Sequence, residues 1–150
     1  MKKLLLTVMA FVGVVSMNAQ IATVESVTPL LKGVESEMYN PVLSADGSRL
    51  LFSNCNYAGL RMYDFNDNVV TKVSTEARAG FDATFSPDGN EIYFVTQTRD
   101  GNRNLRQVKK YDIASRETIE LTRQGRVVGR PVATTKGFAT TIDGQLVATD

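Results

Sequence analysis

Apolar residues fall in short runs along this chain, and Gly, Asp, Asn, Ser and Pro punctuate the gaps. Tyr39–Ser44 alternates loosely, Arg49–Asn54 carries Leu50, Leu51 and Phe52, and Leu60–Phe65 and Val69–Ser74 follow. Runs this short, bounded by turn residues, predict β-strands; helices would need about ten residues or more at a 3.6-residue period. The breaks are Ala45-Asp46-Gly47-Ser48, Asn56-Tyr57-Ala58-Gly59 and Asn66-Asp67-Asn68. Asp-Gly between two apolar runs is a strong hairpin signal, because Gly accepts the positive φ of a tight turn. Residues 39–76 are thus expected to form four antiparallel strands.

The pattern then repeats. Pro41–Ser53 returns as Ala83–Val95, and Asp46-Gly47 recurs 42 residues later as Asp88-Gly89. Strands are expected at Gly80–Ser86, Glu91–Gln97, Leu105–Ile113 and Glu117–Thr122, with a polar loop at Thr98–Asn104. Tyr63-Asp64-Phe65 recurs as Tyr111-Asp112-Ile113 at an offset of 48, which places six inserted residues around Arg99-Asp100-Gly101-Asn102. A third unit opens at Arg130-Pro131-Val132, 90 residues after Asn40-Pro41-Val42. Lys136 there replaces the aspartate before Gly137, and Phe138–Ile142, Asp143-Gly144 and Gln145–Thr149 read as one more hairpin. Strand quartets repeating about every 40–45 residues predict propeller blades. The expected fold is all-β, a partial β-propeller over 39–150 with four-stranded antiparallel blades at 39–76 and 78–123 and an incomplete one at 125–150.

The repeated motif, Ser44-Ala45-Asp46-Gly47 in a fair copy and Ser86-Pro87-Asp88-Gly89 in a good one, followed by Tyr-Asp-hydrophobic, resembles the PD40 (WD40-like) repeats of TolB-type propellers. Related repeats occur in the propeller domains of prolyl oligopeptidases and dipeptidyl peptidases. The resemblance implies a closed ring of roughly six or seven blades, and this sequence supplies two and a fraction. A bare blade face of about 400 Å² would forgo roughly 10 kcal/mol of burial at 25 cal/mol per Å². A truncated product, or a ring completed by other chains, is the expectation that follows.

The amino terminus has a separate logic. Met1-Lys2-Lys3 is charged, Leu4–Met17 is apolar, and Met17-Asn18-Ala19-Gln20 offers a small residue for cleavage. This is the layout of a signal peptide over 1–19; the run is short of the about 20 residues of a bilayer span. Residues 20–38 form a lead-in. The expected protein is exported, periplasmic or extracellular, with no membrane span after cleavage. Losing residues 1–19 removes Lys2 and Lys3 and no acid, which leaves 15 basic against 16 acidic residues. Such a balance provides no footprint for nucleic acid.

Candidate chemistry is sparse. The chain has no histidine, and its single cysteine, Cys55, precludes an intrachain disulfide and reads as a small apolar residue at a strand end. Asp46 and Asp88 sit at equivalent positions, where Asp-Gly turn formation accounts for them better than acid–base catalysis. The structural turn motif is therefore Ser44, Asp46 and Gly47 with Ser86, Pro87, Asp88 and Gly89. Asp64-Phe65-Asn66-Asp67-Asn68 opens like a calcium loop, but Val69 and Thr75 stand where an EF-hand needs Gly and Glu. Arg99, Arg103, Arg106, Lys109 and Lys110 form the densest basic stretch. It sits on the inserted loop, which makes Arg99, Asp100 and Arg103 candidates for partner contact. No Gly-x-Ser-x-Gly elbow and no Gly-rich phosphate loop occur. These features predict a protein without enzymatic activity, cofactor or metal, serving as an exported scaffold for a protein or peptide, or for a glycan. The resemblance to TolB implies protein–protein contact. The rival expectation is the N-terminal propeller portion of an exported serine peptidase of the prolyl oligopeptidase or dipeptidyl peptidase type, lacking its catalytic domain.

Overall fold

The structure, a computed structural model, describes residues 29–31 and 37–149. The expected signal peptide lies outside the described residues, as does most of the lead-in segment. Three antiparallel sheets follow one another along the chain. The first contains β1 (Met38–Leu43), β2 (Arg49–Asn54), β3 (Leu60–Asp64) and β4 (Val69–Ser74) in sequential order. The second contains β5 (Thr84–Phe85), β6 (Glu91–Asp100), β7 (Arg103–Asp112) and β8 (Thr118–Glu120), again in order. The third pairs β9 (Val132–Thr134), β10 (Gly137–Ile142) and β11 (Gln145–Ala148). The chain is all-β, and its architecture is that of a partial β-propeller, in which each sheet must bury both faces against its neighbours.

β6 shows how the sequence achieves this. Side chains alternate across a strand, and β6 is apolar on both faces. Ile92 and Phe94 join Leu51, Leu60, Met62 and Val73 of the first sheet in one core, together with Ala79, Ala83, Phe85 and Tyr111. Tyr93 and Val95 point the other way and join Val108, Val128, Phe138 and Ile142 in a second core against the third sheet. The rings of Tyr93 and Phe138 pack 5.5 Å apart across that junction. A continuous apolar run is what a strand buried on both sides requires, so Ile92–Val95 encodes two interfaces at once.

Four expectations from the sequence are corrected. β5 is two residues long rather than spanning 80–86. Its upstream residues are bound elsewhere: Gly80 N–H donates to Tyr57 O, and the Asn40 side-chain amide donates to the carbonyls of Gly80 and Phe81. Thr98–Asn104 is not a loop, because β6 and β7 stay in register from Glu91↔Asp112 to Asp100↔Arg103. The insertion lengthens a hairpin whose tip is Gly101-Asn102. The last strand of the second sheet covers only Thr118–Glu120, since Leu121 and Thr122 turn to bond Val108. Cys55 is exposed, because the chain leaves β2 in a short 3-10 turn at Cys55–Tyr57.

Candidate functional site

The repeated Ser-x-Asp-Gly turns are each closed by their own side chains. In the first copy Ser44 Oγ donates to Asp46 Oδ1 at 2.6 Å and accepts from Arg49 N–H at 2.9 Å. Asp46 also accepts from Ser48 N–H at 3.0 Å and from Ser48 Oγ at 2.7 Å. Gly47, at φ +71°, donates its N–H to Ser44 O. The second copy repeats the network: Ser86 Oγ to Asp88 Oδ1 at 2.5 Å, Glu91 N–H to Ser86 Oγ at 2.9 Å, and Asn90 N–H and Nδ2 to the two Asp88 oxygens. The motif spacing thus has a mechanical cause. Serine closes the turn by accepting from the residue five positions on, and aspartate fixes the serine while bonding the residue two positions on. Pro87 is exposed at the corner of the second turn.

Those bonds settle the acids' protonation. The hydroxyl of Ser44 and the two groups of Ser48 hold Asp46 well below the usual carboxylate range, and Ser86 and then Asn90 lower the Asp88 pKa. A carboxylate with a lowered folded pKa stabilises the fold above its unfolded value, near about 3.9, and that contribution is lost as pH falls through the folded value. Urea midpoints should therefore hold from neutral pH to about pH 5 and fall below about pH 4. The Asp46→Asn, Asp88→Asn double variant should have a shallower acid limb. An acid limb parallel to that of the parent would contradict this role for the two aspartates.

The Tyr-Asp pairs cap the neighbouring turns at the same end of the same sheets. Asp64 Oδ1 accepts from Asn66 and Asp67 N–H, and Asp64 Oδ2 pairs with Arg49 Nε at 3.1 Å. Burial opposes ionisation of Asp64, but these donors outweigh it and its pKa is lowered. Asp112 is held low by Ser115 N–H and then by Ser115 Oγ. The sequence that opened like a calcium loop is therefore a capped turn, in which Tyr63 OH donates to Asn68 Oδ1. Asp143, beside Gly144, plays a third part: it accepts from Arg126 and Val127 N–H and pairs with Arg123 at 3.3 Å, tying down the linker to the third sheet.

Sequence reasoning missed the residues that join the sheets. Arg49 reaches across to donate to Gly89 O at 3.0 Å, so the first sheet grips the turn of the second. Lys109 bridges Glu76 at 2.9 Å and Glu120 at 3.3 Å, which binds the inter-sheet linker to β8. The basic stretch is consequently not one surface feature, since Lys109 and Lys110 are both paired with glutamates.

Grooves run between the sheets, and two of them are wide. One, of about 560 Å³, has Glu91, Tyr93, Lys110, Lys136 and Phe138 in its walls. There Glu91 takes Lys110 Nζ and Tyr93 OH, each at 2.6 Å, and burial together with Glu91 raises the Tyr93 pKa. The phenol therefore remains a donor and both oxygens of Glu91 are engaged. The other, of about 500 Å³, runs along the first strands of the sheets, where β5 lies beside β9, and includes Leu43, Pro87, Arg130 and Val132.

The end of the sheets away from the Asp-Gly turns carries a different surface. The β6–β7 hairpin ends there, and the residues from Thr98 through Asn104, including Arg99, Asp100 and Arg103, are exposed. At its base Arg106 Nε donates to Gln97 Oε1 at 2.9 Å, and Gln97 N–H donates to Ala77 O. Next to Ala77, the Arg78 guanidinium lies 4.1 Å from the centre of the Phe81 ring. Phe81 packs edge-on with Tyr57 at 5.0 Å, and Tyr57 with Tyr39 at 6.4 Å.

Among the described residues, no three Asp, Glu or Cys side chains converge as a metal site would require, and no helix is long and apolar enough to cross a membrane. No family model and no curated protein sequence matches the chain. Solved structures do match its fold. A tricorn protease aligns over 73% of this chain and 11% of its own, at 14% identity and TM-score 0.64. TolB from Acinetobacter baumannii aligns over 74% of this chain and 31% of its own, at 14% identity and TM-score 0.55. An oligogalacturonate lyase in complex with manganese aligns over 73% of this chain and 30% of its own, at 19% identity and TM-score 0.55. The chain thus spans about a tenth to a third of the length of these structures.

Proposed function

We propose that the chain is part of a TolB-like propeller, exported from the cell, that binds a protein or peptide and makes or breaks no bond. The observation that carries this reading is the division of the two ends. At one end Asp46, Asp88, Asp64 and Asp112 each accept at least two hydrogen bonds from their own turns. Acids so engaged and held ionised are poor proton donors at neutral pH. At the other end an exposed hairpin and a partly exposed aromatic cluster stand free for contact. Fold likeness to TolB supports the choice of a protein or peptide over a glycan. Likeness to a tricorn protease supports a second reading, the propeller portion of an exported serine peptidase whose catalytic domain lies elsewhere.

The full chain should retain peptides from a mixed panel and release them unchanged by mass. Replacing Arg99–Asn104 with Asn-Gly joins Thr98 to Leu105 through a two-residue hairpin turn and removes the projecting tip. That variant should keep its β circular dichroism and bind at least about tenfold more weakly, the loss expected from about 1.4 kcal/mol of contact. Shortened peptides in the mixture, or unchanged affinity in the trimmed protein, would overturn the reading.

A further inference from the structure

The buried side-chain atoms that lack a hydrogen-bond partner among the described residues are Asn54 Oδ1, Arg78 Nε and Thr96 Oγ1. All belong to the hairpin end. Asn54 closes β2, Thr96 precedes Gln97 on β6, and Arg78 lies on the linker held between them by Gly80 N–H to Tyr57 O and Gln97 N–H to Ala77 O. Folded proteins leave few such atoms, and each calls for a cause.

Arg78 is unusual in two further ways. Its backbone is left-handed, at φ +68°, an uncommon conformation for a bulky side chain and one that concentrates where function holds it. It also faces a like charge: burial lowers its pKa first, and the nearby Arg106 lowers it further. The balancing acid, Asp82, reaches Arg78 Nη2 only at 3.8 Å. Geometry puts both arginines at one place: Arg106 Nε bonds Gln97 Oε1, and Gln97 N–H bonds the carbonyl of Ala77, the neighbour of Arg78. An added anion would relieve that repulsion, and the planar fork of arginine suits a carboxylate in particular.

The neighbouring rings identify what carries the carboxylate. Phe81 is 37% and Tyr39 is 39% exposed. Tyr57 meets both rings edge to face, and Arg78 already covers a face of Phe81. Arg78 leaves less flat face on Phe81 for a sugar ring to stack on, whereas the exposed parts of Phe81 and Tyr39 can take an apolar side chain. Resting on the scaffold reading above, we propose that Arg78 and Arg106 seat a carboxylate of an acidic peptide segment whose neighbouring apolar side chain packs on Tyr57, Phe81 and Tyr39.

The test uses the full chain and a fluorescein-labelled peptide of alternating Glu and Leu, its Gln-for-Glu counterpart, and an alginate oligomer. The acidic peptide should bind, its affinity should fall with added salt, and the Gln peptide should be at least about tenfold weaker, as for loss of a charged hydrogen bond. Arg78→Gln and Arg106→Gln should each weaken the acidic peptide about tenfold or more. Arg116→Gln, at the other end of the sheets, should not. Arg106→Gln keeps the test valid if the Arg78 variant fails to fold. Equal binding of the Glu and Gln peptides, unchanged affinity in Arg106→Gln, or binding of alginate without the peptide would each overturn the assignment. If the Glu and Gln peptides bind alike and hairpin trimming weakens both, the scaffold reading stands while this one falls. If no peptide binds the parent protein, both fall.

Discussion

Replacing Phe94 with alanine should cost about 3–5 kcal/mol, as for a large aromatic removed from a packed core. Phe94 is 0% exposed and sits where β6 of the second sheet meets Leu51, Leu60 and Met62 of the first. The loss therefore combines transfer of the ring to water with a cavity between two sheets that cannot close without moving one of them. Against a typical net stability of about 5–15 kcal/mol, that is enough to populate unfolded chain. The check is a urea titration of the variant beside Ile119→Ala, at an exposed site that should shift stability by no more than about 0.5 kcal/mol. A Phe94→Ala cost below about 1 kcal/mol would mean that this junction is not a close-packed core.

Gly80→Ala should be comparably damaging for a different reason. A Cβ there would lie 2.0 Å from Ser53 Cβ and 2.7 Å from Gly59 O. Neither neighbour is a flexible side-chain end, and Ser53 is itself fully buried. The Gly80 backbone is not left-handed, so lack of space alone makes the cost, which should reach about 3 kcal/mol by the measure of overpacked cores. Because the clash is with one atom above all, Ser53→Gly should recover part of the loss in the double variant. A rescue of zero would show that the Gly59 carbonyl contact dominates. A Gly80→Ala protein as stable as the parent would show that linker and β2 do not meet as closely as described.

Most of the fold was legible where apolar runs and turn residues coincide. Arg49–Asn54 and Val69–Ser74 were readable to the residue, because turn motifs bound them and alternation fixes their faces. Thr98–Asn104 was not, because its polar side chains carry no periodic signal and its pairing rests on backbone bonds. The strand expected at 80–86 failed for the opposite reason: Gly80 and Phe81 are engaged by Tyr57 and Asn40, contacts set by residues more than twenty positions away. The repeated aspartates could be read as turn residues from Asp-Gly alone. The proposed contact surface could not, since Arg78 and Arg106 are separated by 28 positions and come to the same end only once the linker docks on β6 through Ala77 and Gln97.

β6 is a shared wall, with one face in each of two sheet–sheet cores, and the exposed hairpin is mounted on it. Through-space proton NMR contacts in the full chain test this arrangement most directly. The Phe94 ring should show contacts to methyl groups of Leu51, Leu60 or Met62, and the Tyr93 ring to Phe138. Contacts from Phe94 and Tyr93 confined to their own sheet would contradict the stacked sheets and the account built on them.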